Sequence, residues 1–296
     1  MKNTKTSHWV SIVSAFESQM RADGKSDNTI ISYLQAIVQF TKFHGNVNNV
    51  NDITQESVNN WLMKFNPRKA TLNLKKNALK KFLGFLKSEY GLKKEIKINI
   101  KDLPRQEPGF LTIQEQDRLL QFVKGLGEYS QRYVMIKLML FTGLRISEVT
   151  NLRFADVEGN TLILRQTKNG NIKRKHLKND IASMLMQYVL ARRNKYPLNE
   201  KPSGCEDFIF MSKYGGEYRP FTRQAVNQVI KKLARQVGIT KKVSPHMLRH
   251  SFSVRFLNCG GSLLGLKNYL GHRNIQTTEI YLHISDEQLK EELERL

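Results

Sequence analysis

The sequence is short of cysteine, of acidic residues and of long apolar runs, and each shortage excludes a class of protein. Its two cysteines, Cys205 and Cys259, provide neither a disulfide framework nor the ligand spacing of a metal site. No apolar run approaches the ~18 residues that a membrane span needs, and residues 1–6 contain no apolar signal region. We therefore expect a cytoplasmic protein without disulfides, bound metal or membrane contact.

Motifs for bound cofactors are missing too. The chain has no Gly-x-x-x-x-Gly-Lys phosphate loop and no dinucleotide fingerprint. We therefore expect an activity that uses no cofactor, so that its chemistry comes from the protein's own side chains.

What the sequence has in excess is positive charge: 48 Lys and Arg oppose 26 Asp and Glu, for a formal net charge of +22. Residues 1–106 carry +10 and residues 107–278 carry +16, whereas residues 279–296 carry −4. Such an excess favours a polyanionic partner, because counterions released from nucleic acid drive the association. Charge alone does not separate DNA from RNA. The acidic end should avoid nucleic acid and contact protein.

Residues 1–105 are predicted to form a helical domain. Apolar residues recur at helical spacing in four segments, the last from about Ala70 to Tyr90. The opposite face of this last helix is rich in lysine, which for any single lysine indicates a solvated surface but for the whole set indicates phosphate contact. Nearby Lys75 and Lys81 strengthen that interpretation. The predicted DNA-binding residues are Arg68, Lys69, Lys76, Lys80 and Lys87.

A linker is predicted at about 91–109, where the helical pattern stops and two prolines follow. Residues 106–296 then form the second domain, which opens with a capping box at Thr112-Ile-Gln-Glu115. An Asn-Gly turn at 169–170 separates two strand-like runs, 161–165 and 171–177, and predicts a hairpin. The remaining segments read as helices. The fold class is therefore mainly α, with a mixed α+β second domain that contains a small antiparallel sheet.

Two arginine motifs in this domain suit phosphate chemistry. Arg145 stands in Thr142-Gly-Leu-Arg-Ile-Ser-Glu148, and Arg249 lies three residues after His246, on the same face of a predicted helix. The planar guanidinium matches two non-bridging phosphate oxygens and keeps its charge at all relevant pH values. A single arginine is more often an ordinary surface residue, so the signal lies in the repetition.

In order along the chain, these motifs resemble the tyrosine recombinase (phage-integrase-like) family, and most closely its Xer-type members. The resemblance covers residues 111 to about 284, and the first domain resembles the family's helical core-binding domain less specifically. The matching elements are Thr142–Glu148, Lys168, His246-x-x-Arg249-His250, Leu270-Gly-His272 and Tyr281.

The resemblance implies a role for each residue. Tyr281 is the expected nucleophile, which attacks a DNA phosphate and leaves a 3′-phosphotyrosyl enzyme. Arg145 and Arg249 hold the non-bridging oxygens, and His246 is the general base. Lys168 protonates the departing 5′-oxygen and His272 donates a hydrogen bond to the phosphate. Glu148 supports the site by orienting its cations or His246.

Several alternatives stay open from the sequence. Tyr269 is a second candidate nucleophile, although it precedes Leu-Gly-His, where the family has no tyrosine. Lys173 and Lys175 compete with Lys168, since all three fall in one predicted hairpin. A type IB topoisomerase uses similar chemistry. A DNA-binding protein without catalysis would keep the same fold.

The C-terminal segment 286–296 is predicted to form a helix with leucines at helical spacing among glutamates. It could pack on its own domain. The resemblance implies instead that it packs into a neighbouring subunit and links four copies on DNA. We therefore expect a homotetramer, or a heterotetramer with a related recombinase, that exchanges strands through a Holliday junction at a specific site in nucleoid DNA.

Overall fold

The computed structural model describes residues 7–45, 49–65, 69–98, 109–165, 172–195, 207–214 and 216–271. Contacts within the chain divide it into two compact units, Met1–Gln106 and Glu107–Leu296. Each unit is built around its own hydrophobic core. In the described part of the chain, no helix is both long enough and apolar enough to cross a membrane.

The first unit is helical, as its sequence periodicity predicts. Aromatic rings fill its centre, where the edge of Phe40 meets the face of Trp61 at a centroid distance of 5.2 Å and Phe16 meets Phe82 at 5.1 Å. These contacts join helices that are distant in sequence. The helices are α1 (Ser7–Ala22), α2 (Asp27–His44), α3 (Gln55–Met63) and α4 (Lys69–Glu89), with a 3₁₀ turn at Val50–Asp52.

Residues 91–98, which fall in the segment predicted as a linker, pack on this first unit. Leu92 is buried. The side-chain amide of Gln55 on α3 makes two hydrogen bonds to the backbone of Lys97. It donates to the Lys97 carbonyl at 2.7 Å and accepts from the Lys97 N–H at 2.8 Å. The segment therefore runs beside α4 and forms one wall of a groove.

Within its described residues, the second unit combines seven α-helices and a 3₁₀ turn at Phe154–Asp156 with two small sheets. The helices are α5 (Ile113–Gly125), α6 (Gln131–Thr142), α7 (Ile146–Thr150), α8 (Asn179–Lys195), α9 (Arg223–Gln236), α10 (Pro245–Asn258) and α11 (Leu263–Leu270). The strands are β1 (Val157–Glu158), β2 (Thr161–Leu164), β3 (Lys173–His176), β4 (Met211–Tyr214) and β5 (Glu217–Pro220).

Helix α6 lies at the centre of this unit, since most of its side chains are buried. The predicted capping box starts α5: Glu115 N–H donates to Thr112 Oγ1 at 3.2 Å, and the Glu115 carboxylate accepts from Thr112 N–H at 2.7 Å. The predicted hairpin is present as the antiparallel pair β2–β3, in which Leu164 faces Lys173. Its Asn-Gly turn lies outside the described residues.

Candidate active site

A left-handed turn at the end of α6 sets the position of Arg145. Gly143 caps the helix with φ +61°, a conformation that favours glycine. A Cβ at this residue would also come within 2.6 Å of Phe252 Cδ1 and 2.8 Å of Leu270 Cδ2. Only glycine fits both the backbone angle and the space, so the chain leaves α6 toward α10 and α11. Arg145 follows as the N-cap residue of α7.

The start of α10 sets the positions of His246 and Arg249. The Ser244 hydroxyl accepts from Met247 N–H at 3.2 Å, and Pro245 occupies the first helical position, where a missing N–H costs nothing. His246 and Arg249 then lie in the first two turns, three residues apart on one face.

Arg249 joins the three motifs that the sequence places far apart. Its side chain is buried, with only 3% of its surface exposed. One guanidinium nitrogen, Nη1, donates to the carbonyl of Gly143, and Nη2 donates to the carbonyl of Leu270 at 3.1 Å. These carbonyls belong to the ends of α6 and α11. Arg249 therefore fixes the Thr142–Glu148 motif and the start of the Leu270-Gly-His motif around α10.

Arg145, His246 and Arg249 line one open cavity of about 550 Å³, called here the arginine pocket. Its remaining wall includes Arg223, Gln224 and Asn227 from the first two turns of α9. Sequence reasoning missed this wall. A signal was present, because the buried face of α9 is apolar and leaves its polar N-terminal turns facing away from the core.

Glu148 binds Arg145 rather than His246. Its carboxylate accepts from the Arg145 guanidinium at 2.9 Å and from the Arg145 backbone N–H at 2.7 Å. The Glu148 side chain is 8% exposed and that of Arg145 is 43% exposed. The carboxylate thus holds the base of the arginine side chain while part of the guanidinium stays accessible.

The environment of His246 suits a proton acceptor. Burial lowers its pKa below the ordinary 6.5, and the nearby charges of Arg249 and Arg145 lower this pKa further. The imidazole is therefore neutral at neutral pH and has a lone pair available. Its ring also meets the ring of His250 edge to face at 4.9 Å.

Tyr269 is poorly suited to be a nucleophile. Its hydroxyl donates to the carbonyl of His176 at 3.0 Å, and burial raises its pKa to about 12. Lys175 Nζ lies 4.0 Å from the centre of its ring and donates to its carbonyl at 3.2 Å. Tyr269 therefore joins α11 to β3.

Three of the predicted catalytic residues lie outside the described part of the chain: Lys168, His272 and Tyr281. The C-terminal segment 286–296 lies outside it as well. The roles assigned to these residues stay predictions. The structure does describe the other predicted site residues, Arg145, Glu148, His246 and Arg249, which lie at or beside one pocket. It also describes Gly271, the residue directly before His272.

Three of the four predicted DNA-binding lysines of the first unit share a groove of about 680 Å³ between α4 and residues 92–98, called here the lysine groove. Lys76, Lys80 and Lys87 line it together with Lys94 and Lys97. Arg68 and the side chain of Lys69 lie outside the described residues.

Two neighbouring lysines do not serve this surface, contrary to expectation. Lys75 is buried, with Nζ 3.0 Å from the centre of the Phe65 ring and 2.7 Å from Gln39 Oε1. Lys81 forms an ion pair with Asp23 at 2.7 Å. Both are held by the first unit itself, so the cationic face of α4 is narrower than its lysine count suggests.

Comparison with known proteins decides the family. The phage integrase family model matches residues 109–288, and the model of the phage integrase N-terminal SAM-like domain matches residues 12–94. The chain belongs to the phage integrase family. Tyrosine recombinase XerD of Rickettsia bellii is 30% identical over 90% of this chain and 92% of its own. That of Halalkalibacterium halodurans is 29% identical over 90% and 91%.

A solved structure shows the same fold. The Tn1549 transposon integrase in complex with transposon right end DNA superposes with a TM-score of 0.74 over 96% of this chain and 99% of its own, at 21% identity. The predicted fold class and the predicted membership of the tyrosine recombinases, similar to Xer proteins, are thus confirmed. Because these relatives are named as recombinases, the family favours site-specific recombination over the topoisomerase and the non-catalytic alternatives.

Proposed function

We propose that this chain cuts and rejoins duplex DNA at a specific recombination site, with the arginine pocket as the seat of the chemistry. The supporting observation is that Arg145, His246 and Arg249, from segments about a hundred residues apart, line one cavity. Two guanidinium groups beside a neutral imidazole are what a phosphodiester under nucleophilic attack requires: charge compensation and a proton acceptor.

In the proposed reaction the Tyr281 oxygen attacks the scissile phosphorus, so that a tyrosyl–phosphorus bond forms as the bond to the 5′-oxygen breaks. His246 accepts the phenol proton, and Lys168 gives a proton to the departing 5′-oxygen. Arg145 and Arg249 bind the non-bridging oxygens, with a hydrogen bond from His272. A phenol with an ordinary pKa of about 10 needs such help at neutral pH. Rejoining is the reverse reaction with a new 5′-hydroxyl.

Duplex DNA is the proposed partner. The lysine groove in the first unit and the arginine pocket in the second both present cations, and exposed lysines gain affinity from counterion release. Two rounds of exchange through a Holliday junction require four subunits, which we propose are joined by segment 286–296, in a homotetramer or with a related recombinase. Deleting 286–296 should then weaken the pairing of two DNA sites more than the binding of a single site. An equal loss of both would contradict the proposed role of this segment.

The test begins by mapping the DNA that the protein occupies in cells, which identifies its site in the nucleoid. A duplex that carries this site and a nick close to the cleavage position traps the covalent intermediate. The short fragment between the cleavage position and the nick diffuses away after cleavage, so its 5′-hydroxyl is no longer available for rejoining. We expect the wild type to form a denaturant-resistant protein–DNA adduct. Tyr281→Phe should bind the same duplex with unchanged affinity and form no adduct. Adduct formation by Tyr281→Phe would refute the assignment of the nucleophile, and its absence from both proteins would refute the proposed chemistry.

A further inference from the structure

Strand β3 carries three consecutive cations, and the strand geometry separates them. Side chains alternate between the two faces of a strand, so Lys173 and Lys175 share one face and Arg174 takes the other. Arg174 is exposed and lies 3.4 Å from Glu158 on β1. The two lysines point toward α11.

Lys173 reaches the turn that precedes His272. Gly271 caps α11 with φ +67°, and its N–H donates to the carbonyl of Lys267 at 2.8 Å. A Cβ built on Gly271 would overlap Nζ of Lys173 and approach its Cε to 2.6 Å. The ammonium group therefore lies against the backbone of this turn, one residue before the predicted phosphate-binding histidine.

The charge of the Lys173 ammonium group interacts with those of Arg145 and Arg249, two cations of the arginine pocket. Burial lowers the pKa of Lys173, the charges of Arg145 and Arg249 lower it further, and Glu148 opposes them. The pKa of Lys175 falls to about 7, from burial first and then from Arg249. Among the described groups, the two lysine amines and the guanidinium groups of Arg145 and Arg249 thus repel one another. The carboxylate of Glu148 is the one negative charge that they share. Such a cluster favours an anion, because an anion offsets the mutual repulsion.

Lys173 is the cation of this face that is available to an anion. The amine of Lys175 is buried and donates to the Tyr269 carbonyl. Lys173 is half-buried. Within the described part of the chain, its amine has neither a hydrogen-bond acceptor nor a carboxylate partner.

We propose that Lys173 is a further catalytic residue, whose ammonium group binds a non-bridging oxygen of the scissile phosphate beside Arg145 and Arg249. This inference rests on the proposed function. Lys173 keeps its proton throughout, since a bound phosphate favours the charged form. It compensates the charge that builds up as Tyr281 attacks, whereas Lys168 delivers the proton to the leaving oxygen.

The first experiment measures the single-turnover rate of adduct formation on the nicked duplex. Lys173→Met keeps an unbranched side chain over Gly271 and loses the charge, and we expect a rate about 10²-fold lower. Lys173→Arg keeps the charge and should retain most of the rate. Arg174→Met removes the same charge from the opposite face of β3 and should change the rate less than about twofold, as a loss of general DNA attraction would.

Two modified substrates then separate charge compensation from proton transfer. A methylphosphonate at the scissile position removes one negative charge, so the ratio of wild-type to Lys173→Met rates should fall toward one. A 5′-bridging sulfur makes a leaving group that needs no proton, and it should leave that ratio unchanged. Recovery of Lys173→Met by the sulfur would make Lys173 a proton donor and overturn the proposal.

Wild-type rates in Lys173→Met would also overturn the proposal, as would equal losses in Lys173→Met and Lys173→Arg, because these indicate that only packing over Gly271 matters. Thermal unfolding of each variant checks that the fold survives, and Lys173→Gln provides a second neutral side chain if methionine disturbs it. Tyr281→Phe distinguishes a failure of this inference from a failure of the proposed function. If the wild type forms an adduct and Tyr281→Phe does not, a normal Lys173→Met refutes this inference and leaves the proposed function intact.

Discussion

The lysine groove and the arginine pocket are both cationic, yet they hold their charges in opposite ways. In the groove, Lys80 and Lys87 are exposed on one face of a helix and need no particular geometry. In the pocket, Arg249 is buried and is fixed by two backbone carbonyls, and Arg145 is held by Glu148. A flexible cation contributes affinity through counterion release, whereas transition-state stabilisation depends on charge held in place beforehand. We therefore propose that the first unit contributes mainly affinity for DNA and the second unit the chemistry.

The largest effect should separate the two arginines of the pocket. Arg249→Ala and Arg145→Ala should each lower the single-turnover cleavage rate at least about 10²-fold. Only Arg249→Ala should also destabilise the fold, by about 1–3 kcal/mol for each buried carbonyl left without a donor. Arg145 is half exposed, so its removal should cost less than about 1 kcal/mol. Urea unfolding and adduct formation measure both quantities, and equal stability losses would show that Arg249 is not the structural link.

Replacing a glycine by alanine should change the free energy of unfolding in opposite directions in the two regions. At Gly143 alanine meets an unfavourable left-handed angle and contacts with Phe252 and Leu270, so Gly143→Ala should lower the free energy of unfolding by about 2–4 kcal/mol. Gly84 lies within α4, lines the lysine groove and has nothing near its Cβ position. Gly84→Ala should therefore raise the free energy of unfolding by about 0.5–1 kcal/mol. Chemical denaturation checks both, and a common sign would contradict this account.

The sequence predicted the motifs of the pocket but not the whole of its walls. Thr142–Glu148 and His246–Arg249 could be found because their chemistry lies within one helical turn. The α9 wall could not, since it depends on where one helix packs on another. The proposed role of Lys173 depends on the β2–β3 register, because a slip of one residue would turn Arg174 inward instead.

Two other features had sequence signals that went unused. Lys75 lies three residues after Leu72 and four before Leu79, which places it on the buried face of α4. The β4–β5 hairpin was not predicted, although Gly215-Gly216 separates its two strand-like runs and Gly216 has φ +88°. For Lys75 the signal is the spacing of its apolar neighbours, and for the hairpin it is the pair of glycines between the two runs.

A smaller effect should appear in the lysine groove. Replacing Lys80 and Lys87 together by alanine should weaken binding to any duplex and reduce the slope of log affinity against log salt by about one for each lysine. The cleavage rate at saturating DNA should stay within about twofold of the wild type. Arg174→Met, which removes one exposed charge from the second unit, is the control for loss of general charge. A large fall in the saturated rate would place these lysines in the chemistry and remove the division between the two regions.

The smallest effect is a displaced titration in the pocket. Burial lowers the pKa of His246, and Arg249 and Arg145 lower it further because each disfavours the protonated form. The wild-type imidazole should therefore titrate with a midpoint below 6.5, and Arg145→Ala should move this midpoint upward, whereas Arg174→Met should not. Nuclear magnetic resonance of histidine-labelled protein measures both. Because the neutral base is lost as pH falls through this midpoint, the acid limb of kcat/KM for cleavage should follow it. An unchanged midpoint in Arg145→Ala would mean that the guanidinium and the imidazole do not share one field, which the arginine pocket requires if they act on one phosphate.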